Sequence, residues 1–419
     1  MKDTKNAIIM AVNTFDNPFN EDDKDELINL AKACNIQVDG MIVQNLDRIN
    51  KDTYVGPGKV EEVMLLANEL EVDFIITNAD VSARVIRNFD KLTDQIILDR
   101  NMLILEIFSE RAKSKSAQLQ VEIAKINYEL PRLVGSSEHL GRQAGSTGGG
   151  LANRGLGETK LELERRDLNR KLSQYRKDLK ALEVQQNIQK QQRDKNAVFR
   201  VSLVGYTNAG KSTIMNQVLA KSDNDNTVFV KDMLFATLDT FTRNIRIDSI
   251  PEFLLSDTIG FINNLHHTLI DAFKSTLSEV RDSDLLLHII DSSNPDYLKH
   301  KSITEKTLKE IGAQDIPIIE VYNKADLAKE PALYPNSISI NAYNPEDIDI
   351  LLDIIKQRIL KHYSKLTLHV PYDQSQILNT LFASNMTKIL DQDETGYTLE
   401  VYVANDHAKQ FKKYIKHFN

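Results

Sequence analysis

The chain has 419 residues, of which 41% are hydrophobic and 27% are charged, and its formal net charge is −8 at pH 7. These values are typical of a soluble globular protein of about two to four domains. A net negative charge argues against a chain coated with basic residues for nucleic acid, although an average can conceal a local patch. The single cysteine, Cys34, excludes an intrachain disulfide, and we expect a cytoplasmic protein with no signal peptide and no transmembrane segment.

Residues 1–108 alternate short apolar segments with helical patterns. The pattern predicts strands at 7–12, 38–43, 73–77 and 95–98, and helices at 21–34, 59–70 and 82–92. Alternation of this kind predicts an N-terminal domain with a small, mostly parallel sheet covered by helices. The glycines of the turn at 54–59 are explained by the start of a helix, and phosphate binding by this turn is the alternative.

The sequence pattern of residues 109–197 predicts two long helices joined by a glycine-rich loop at 135–157. Apolar side chains recur in each helix at heptad-like spacings. They are Leu119, Ile123, Ile126, Leu130 and Leu133 in the first helix, and Leu161, Leu168, Leu172, Tyr175, Leu179 and Leu182 in the second. Complementary seams predict an antiparallel helical hairpin, and Pro131 is expected to kink or end its first helix. The loop carries Arg142 and Arg154, and it is either a flexible linker or a phosphate-contacting loop.

The second helix of this hairpin carries a local excess of basic residues. From residue 154 to residue 200 there are 13 Lys and Arg against 7 Asp and Glu. Basic charge that is concentrated on one helix indicates contact with RNA or DNA phosphates, and a solvated helix face is the alternative.

Residues 205–212 fit the pattern G-x-x-x-x-G-K-[ST] of a phosphate-binding loop. An alternating strand pattern at 198–204 precedes them and a helix at 212–219 follows, which is the order that this loop requires. The backbone N–H groups would surround a polyphosphate, Lys211 would contact its outer phosphates, and Ser212 would offer its hydroxyl to Mg²⁺. The predicted phosphate-binding residues are Gly205, Tyr206, Thr207, Asn208, Ala209, Gly210, Lys211, Ser212 and Thr213.

Two further segments are predicted to complete the part of the nucleotide site that binds the phosphates and Mg²⁺. A strand at 252–256 ends at Asp257, whose carboxylate can hold Mg²⁺ through water, and the Gly260 N–H can bind a γ-phosphate. Thr237 is the candidate for a switch threonine that joins Mg²⁺ only while a γ-phosphate is present, with Thr240 and Thr242 as alternatives. The predicted residues of the two segments are Asp257, Thr258, Ile259 and Gly260, and Phe235, Ala236, Thr237 and Leu238.

Asn323, Lys324 and Asp326 follow an apolar strand at 318–322 and are predicted to recognise the base. The Asp326 carboxylate can accept hydrogen bonds from N1–H and the 2-amino group of guanine. Adenine offers no such pair, so the pattern favours GTP or GDP over ATP. Asn323 would hold the loops together, and the stem of Lys324 would cover the base. Asn341 and Ala342 stand where an Ala N–H would reach guanine O6.

The predicted catalytic residues are Lys211, Thr237 and Gly260, and the predicted Mg²⁺ ligands are Ser212, Thr237 and Asp257. In GTPases that resemble this one, an Asn at the position of Asn208 can hold K⁺ beside the phosphates, and the alternative is that Asn208 only shapes the loop. Phe261 stands where many small GTPases have a water-orienting Gln, so we expect slow hydrolysis until a partner completes the site. The sequence of residues 366–419 predicts a small separate α+β module, with strands near 366–370 and 397–403, a helix near 376–383 and a closing helix.

Together these segments resemble one family, the HflX GTPases, over the chain as far as about residue 363. The most specific match is GGGLANRGLGETKLE at 148–162. The others are TYVGPGKVEE at 53–62, LQVE at 119–122 followed by PRL at 131–133, FATLD at 235–239 and DTIGFI at 257–262. The family usually has Pro where this chain has Thr240, and an Arg-Asp-Leu-Pro type of segment where it has 263–266.

The patterns together predict an α/β protein with an N-terminal parallel α/β domain, an antiparallel helical hairpin, a central P-loop GTPase domain at 198–363 and the small C-terminal domain at 366–419. The resemblance implies a ribosome-associated GTPase whose N-terminal region and hairpin bind the large ribosomal subunit and help to separate stalled or idle ribosomes. We expect it to act as a monomer. Some relatives are described as binding ATP through the N-terminal region, and no motif here demands it.

The residues leave two other classes open. One is a GTP-sensing scaffold for another protein, with incidental hydrolysis. The other is an RNA-remodelling ATPase whose site lies in the N-terminal sheet.

Overall fold

The computed structural model describes residues 5–134, 152–194, 198–222, 241–248, 250–258, 260–262, 279–328, 335–382, 386–405 and 407–415; within 152–194 the side chains are described from 162 to 185. The described residues up to Gln185 form one compact unit, and those from Val198 onward belong to a second. Across these ranges no helix is both long enough and apolar enough to cross a membrane.

The first unit is built on a four-stranded parallel sheet. Its strands are β1 (Lys5–Asn13), β2 (Ile36–Asn45), β3 (Phe74–Thr77) and β4 (Ile96–Asp99), in the order β2-β1-β3-β4. Helices α1 (Glu21–Ala33), α2 (Pro57–Glu69) and α3 (Ala83–Phe89) connect the strands, and α4 (Arg100–Arg111) follows β4. The predicted parallel α/β domain is thereby confirmed. Helix α4 lies in a part of the chain for which the sequence pattern predicted no element.

The segment 53–62 folds as the start of α2. Gly56 is the N-cap residue of α2, and Pro57 lies in its first turn. The Tyr54 side chain is fully buried, and its hydroxyl donates to Asn78 Oδ1 at 2.7 Å. Asn78 in turn bonds the N–H and C=O of Val12 at 2.9 and 3.0 Å, at the carboxyl end of β1. These residues therefore stabilise the sheet, which supports the helix-start interpretation of the turn.

Two helices of the first unit form the predicted hairpin. They are α5 (Lys115–Val134) and α6 (Ala152–Asp194). The seam is a cluster of apolar side chains from both helices, namely Ile123, Ile126 and Leu172, with the half-buried Leu130, Leu168, Tyr175 and Leu179 around them. Pro131 lies inside α5, which continues to Val134, so the first helix ends only slightly after its proline.

The C-terminal boundary predicted for the loop at 135–157 is wrong. Helix α6 begins at Ala152 and includes Gly155 and Gly157, while 135–151 lie outside the described residues. A glycine in a helix interior costs only about 1 kcal/mol relative to alanine. The long run of good helix formers after Gly157 offsets that cost, because each added residue contributes another backbone hydrogen bond.

A buried carboxylate joins the sheet to α5. Asp99, at the end of β4, is fully buried and caps α4 by accepting from the Met102 N–H at 3.0 Å. It also accepts from the Tyr128 hydroxyl and, at 2.8 Å, from the Arg132 guanidinium, both on α5. Burial, and then the Asp99 charge, raise the pKa of Tyr128, which keeps its hydroxyl protonated as a donor. The network fixes α5 against the sheet.

The second unit contains a six-stranded sheet. Its strands are β5 (Phe199–Gly205), β6 (Phe241–Ile247), β7 (Ile250–Asp257), β8 (Leu285–Asp291), β9 (Ile318–Asn323) and β10 (Ser337–Ser339), in the order β10-β9-β8-β5-β7-β6. Only the edge strand β6 is antiparallel to its neighbour. Helices α7 (Lys211–Ala220), α8 (Tyr297–Glu310) and α9 (Pro345–Leu360) accompany the strands. The carboxyl ends of the parallel strands meet at one edge, where ligand-binding loops of such sheets converge.

The small C-terminal α+β module is an antiparallel sheet with one face covered. Strands β11 (Tyr363–Pro371), β12 (Thr387–Gln392) and β13 (Gly396–Ala404) lie in the order β11-β13-β12. The covering elements are α10 (Ser375–Phe382) and a 3₁₀ helix, Ala408–Tyr414, where the sequence predicted a closing helix. The sequence predicted no strand at β12, since most side chains of this edge strand are exposed and lack apolar alternation.

We expect Asp99→Ala to destabilise the first unit by roughly 3–5 kcal/mol, because the mostly buried Arg132 charge would lose its carboxylate partner. Urea unfolding, with hydrogen exchange at the amides of β4 and α5, measures the change. The control is Glu62→Ala, which removes the exposed partner of Lys59 and should cost less than about 1 kcal/mol. Equal costs for the two variants would contradict the anchoring role of Asp99.

Candidate active site

The predicted phosphate loop joins β5 to α7 at the carboxyl edge of the six-stranded sheet. Gly205 and Gly210 have φ angles of 146° and 98°, and Asn208 has a φ of 60°. These are conformations that favour glycine or asparagine. At Gly210 a Cβ atom would lie 2.1 Å from Asn323 Nδ2, so no other side chain fits there. The sequence pattern thus reflects a backbone geometry, and Gly210 is also the N-cap residue of α7.

The Lys211 side chain is buried among carbonyl groups of the loop. Its Nζ donates to Gly205 O at 3.0 Å and to Tyr206 O at 2.7 Å. Burial lowers the pKa of Lys211 to about 8, and the charge of Asp257 opposes this shift. A polyphosphate beside the ammonium would favour its charged form and accept a charge-assisted hydrogen bond. The geometry is suited to the predicted phosphate contact.

Ser212 and Asp257, two of the predicted Mg²⁺ ligands, lie side by side. Ser212 Oγ donates to Asp257 Oδ2 at 2.6 Å, and Asp257 is fully buried at the end of β7. The neighbouring Thr258 turns its hydroxyl to Leu203 O at 2.6 Å. Thr258 therefore fixes the end of the strand, while Ser212 and Asp257 offer adjacent oxygen atoms.

Gly260 lies directly over the phosphate loop. A Cβ atom there would lie 2.8 Å from Thr207 Cγ2 and 3.0 Å from Lys211 Nζ, so the close approach requires glycine. The next residue, Phe261, donates its N–H to Gly205 O at 3.1 Å and accepts from the Thr207 N–H at 2.8 Å. The segment after β7 is therefore paired with the phosphate loop through the backbone.

Asn323 connects the loops of the predicted base side. Its Nδ2 donates to Ala209 O at 2.9 Å, and its Oδ1 accepts from the Ala342 N–H at 3.0 Å. The side chain is almost fully buried, so one amide fixes the phosphate loop and the segment before α9 together. This is the linking geometry that the sequence predicted for Asn323.

The other residues that were predicted to recognise the base do not link the loops as Asn323 does. Lys324 Nζ pairs with Asp291 Oδ2 at 2.6 Å, and Asp326 is exposed. Asn341 Oδ1 accepts from the Tyr343 N–H at 2.9 Å, so its side chain stabilises the turn that precedes α9. We assigned no role to Asp291 from the sequence. A carboxylate at the end of an apolar strand is nevertheless a pattern that could have indicated one, and Asp291 is the last residue of β8.

The predicted site residues that the structure describes lie in or directly beside loops at the same edge of the sheet. They are Gly205, Tyr206, Thr207, Asn208, Ala209, Gly210, Lys211, Ser212, Thr213, Asp257, Thr258, Gly260, Asn323, Lys324, Asp326, Asn341 and Ala342. Phe235, Ala236, Thr237, Leu238 and Ile259 lie outside the described residues, as do Thr240 and 263–266. The roles assigned to this second group stay predictions.

Three family models match consecutive parts of the chain. The model described as "GTP-binding GTPase N-terminal" matches residues 21–109, and "GTP-binding GTPase Middle Region" matches 111–193. The model described as "50S ribosome-binding GTPase" matches 200–324, which contains the phosphate loop and the Asn323 loop. The matches follow the order of the sheet, hairpin and nucleotide-binding regions.

Curated relatives and solved structures are similar over most of the chain. A GTPase HflX from Caldanaerobacter subterraneus is 39% identical over 415 residues, covering 99% of this chain and 94% of the relative. A GTPase HflX from Alkalihalophilus pseudofirmus is 39% identical, covering 97% and 94%. The crystal structure of a GTP-binding protein from Sulfolobus solfataricus in complex with GDP is 23% identical, with a TM-score of 0.47, covering 85% of this chain and 99% of that one. The near full-length relatives and the three family models show that this GTP-hydrolysing chain belongs to the HflX family of GTPases.

Proposed function

We propose that this GTPase binds the large ribosomal subunit through its N-terminal unit and helical hairpin, and that it helps to separate the subunits of stalled or idle ribosomes. The observation that carries the proposal is an exposed basic surface on α6, in a chain whose GTPase domain matches a ribosome-binding family model. In this proposal the protein acts as a monomer in the cytoplasm, where its partner is found.

The basic surface consists of Arg165, Arg166, Arg170 and Lys171, all of which are exposed. The apolar seam of the same helix packs against α5, so the charged side chains are left to face solvent. Asp167 pairs with Arg170 at 2.9 Å and with Lys171 at 3.3 Å, which leaves a net positive charge on the surface. Phosphates of ribosomal RNA are a fitting partner because such charges release condensed counterions on binding.

In the proposed reaction the phosphate loop binds the triphosphate and Asp326 accepts hydrogen bonds from guanine. Lys211 neutralises charge on the outer phosphates, and the Gly260 N–H binds the γ-phosphate. Phosphoryl transfer needs positioning and charge stabilisation more than covalent chemistry, so these groups are suited to it. Thr237 would complete the phosphate side, as the sequence predicts.

The adjacent oxygens of Ser212 and Asp257 fit Mg²⁺, which prefers hard oxygen ligands and keeps several waters. Ser212 would coordinate the ion directly and Asp257 through water, with Thr237 as the third predicted ligand. A bound Mg²⁺ would supply positive charge that offsets the negative charge of the phosphates. Asn208 is the proposed K⁺ ligand, and its left-handed backbone also fits the alternative role of shaping the loop.

Phe261 explains why a partner is needed in this proposal. Its ring is 4% exposed and packs in a cluster with Val204, Val280, Leu286, Leu308, Ile311 and Ala313. A buried phenyl ring can neither orient nor activate the attacking water. We infer that the large subunit completes the site by contacting the segments around Thr237 and after Gly260.

The first prediction from the proposed function concerns base specificity. Asp326→Asn places a donor opposite two donors of guanine, so GTP affinity should fall by roughly 2–4 kcal/mol, while affinity for xanthosine triphosphate should rise. Titration with both nucleotides measures the change. The control is Asp315→Asn, another exposed aspartate of the same unit, which should leave both affinities unchanged. Unaltered GTP affinity in Asp326→Asn would place the base site elsewhere.

The second prediction concerns the basic surface of α6. Changing Arg165, Arg166, Arg170 and Lys171 to Gln should weaken binding to large subunits and reduce the salt dependence by up to about one log unit per phosphate contact. Co-sedimentation over a range of KCl concentrations measures this. The matched control changes four exposed lysines of the C-terminal module to Gln, namely Lys388, Lys409, Lys412 and Lys413. The same loss in both variants would show a general charge effect and refute the hairpin contact.

The third prediction concerns stimulation of GTP hydrolysis by the large ribosomal subunit. Purified large subunits should raise the GTPase rate by at least about tenfold, equivalent to roughly 1.4 kcal/mol of barrier, and small subunits should not. Lys211→Ala is the control for contaminating activity. Sedimentation of intact ribosomes should also show separated subunits with GTP and not with GDP. A GTPase that large subunits leave unchanged would favour the scaffold function instead.

A further inference from the structure

Helix α8, which carries none of the predicted nucleotide-binding motifs, packs against the phosphate loop. The ring of Tyr206, the second residue of the loop, stacks face to face on the imidazole of His300 in α8. The centroids are 3.7 Å apart and the planes differ by 7°, and both side chains are less than a tenth exposed. Aromatic pairs more often adopt offset or edge-to-face arrangements, so close parallel stacking is a specific geometry.

The backbone of Tyr206 holds the catalytic part of the loop. Its carbonyl oxygen accepts from Lys211 Nζ at 2.7 Å, the shorter of the two loop contacts of that lysine. Tyr206 also forms a parallel β-bridge with Phe261, made by the hydrogen bonds of Gly205 and Thr207. A shift of the Tyr206 ring would therefore move both the carbonyl that orients Lys211 and the pairing that holds Phe261.

Helix α8 is anchored near His300, so the imidazole is a fixed support. Lys301, the next residue, pairs with Glu320 of β9 at 2.6 Å, and the Tyr322 hydroxyl donates to the same carboxylate at 2.9 Å. Tyr297 packs edge-on against Tyr322, with centroids 6.1 Å apart. The Lys301–Glu320 pair ties α8 to the sheet beside the stack, whereas the Tyr297 contact lies at the first residue of the helix.

We propose that His300 is a positioning residue for GTP hydrolysis, which acts by stacking on Tyr206 and so orienting the Tyr206 carbonyl that directs Lys211. The inference rests on the proposed role of Lys211 at the outer phosphates. Displacement of a reacting or charge-stabilising group by about 1 Å can cost on the order of a hundredfold in rate, so a support behind the loop has a measurable effect. Binding of GDP depends mainly on the loop N–H groups and the guanine contacts, and it is affected less.

The test replaces the ring by side chains of similar size in the full-length protein. His300→Phe keeps a flat ring on Tyr206, and His300→Leu fills the space without one. We expect His300→Leu to lower the single-turnover GTPase rate at saturating GTP by about tenfold, and to change GDP affinity by less than about threefold. His300→Phe should stay within about twofold of the unaltered protein for both quantities.

A second residue on the same helix provides the matched control. Tyr297→Leu removes an aromatic contact of α8 that does not reach the phosphate loop. It should lower the thermal midpoint of the protein about as much as His300→Leu does, while the GTPase rate stays the same. A rate that follows stability alone in both variants would reduce His300 to ordinary packing and overturn the inference.

A double-mutant cycle locates the effect in the stack. Tyr206→Leu with His300→Leu should be no slower than the slower single variant, because both substitutions remove the same contact. Equal losses in His300→Phe and His300→Leu would assign the effect to the imidazole nitrogens and contradict the stacking role.

Lys211→Ala separates failure of this inference from failure of the site. If Lys211→Ala leaves hydrolysis intact, the proposed site itself is wrong. If Lys211→Ala abolishes hydrolysis and His300→Leu does not affect it, only the positioning role fails.

Discussion

The burial of the Lys211 ammonium is the constraint around which the nucleotide-binding region is built. A buried cation is costly unless oxygen atoms surround it. Here the carbonyl groups of Gly205 and Tyr206 accept its hydrogens, and Asp257 supplies the nearby negative charge. These groups keep their positions because β5, which delivers the loop, lies between β7 and β8 and pairs with both in parallel. The pairing of β5 within the sheet thus determines the position of the Lys211 charge.

The Gly205 carbonyl connects the phosphate loop with the segment after β7. It accepts a hydrogen bond from Lys211 Nζ and another from the Phe261 N–H. A movement of Phe261 therefore alters the surroundings of Lys211 directly, with no long chain of intervening contacts. The side chain of Phe261 is meanwhile held in an apolar cluster, so the residue serves as an anchor for this segment. The same carbonyl oxygen therefore contacts Lys211 and holds the segment after β7 in place.

The first unit has a different physical organisation. Its hairpin packs through a narrow apolar seam, and the basic side chains of Arg165, Arg166, Arg170 and Lys171 on α6 stay exposed although the whole chain is acidic. A seam of this kind leaves most of a long helix available for contact with another molecule. The Asp99 network fixes the base of the hairpin to the sheet through two side chains of α5. Attachment of α5 to the sheet and an exposed basic surface on α6 are the two features that the proposed contact with a polyanion requires.

The sequence by itself determined the features that depend on local patterns. The alternation of strands and helices, the heptad seam and the phosphate loop with its glycines are each written in a few neighbouring residues, because backbone geometry and side-chain periodicity are local properties. The position of Asn323 was equally visible, and the structure shows its side chain bonded to the phosphate loop and to the segment before α9. Strand β12 and the start of α6 were less predictable, since an exposed edge strand lacks apolar alternation and glycines can be accommodated within a long helix. Only the tertiary structure decided that Asp99 meets Tyr128 and Arg132, that Asp291 pairs with Lys324, and that His300 stacks on Tyr206. Each of these contacts joins residues far apart in the chain, and no periodicity or spacing in the sequence records which distant side chains the packing of helices on a sheet will bring together.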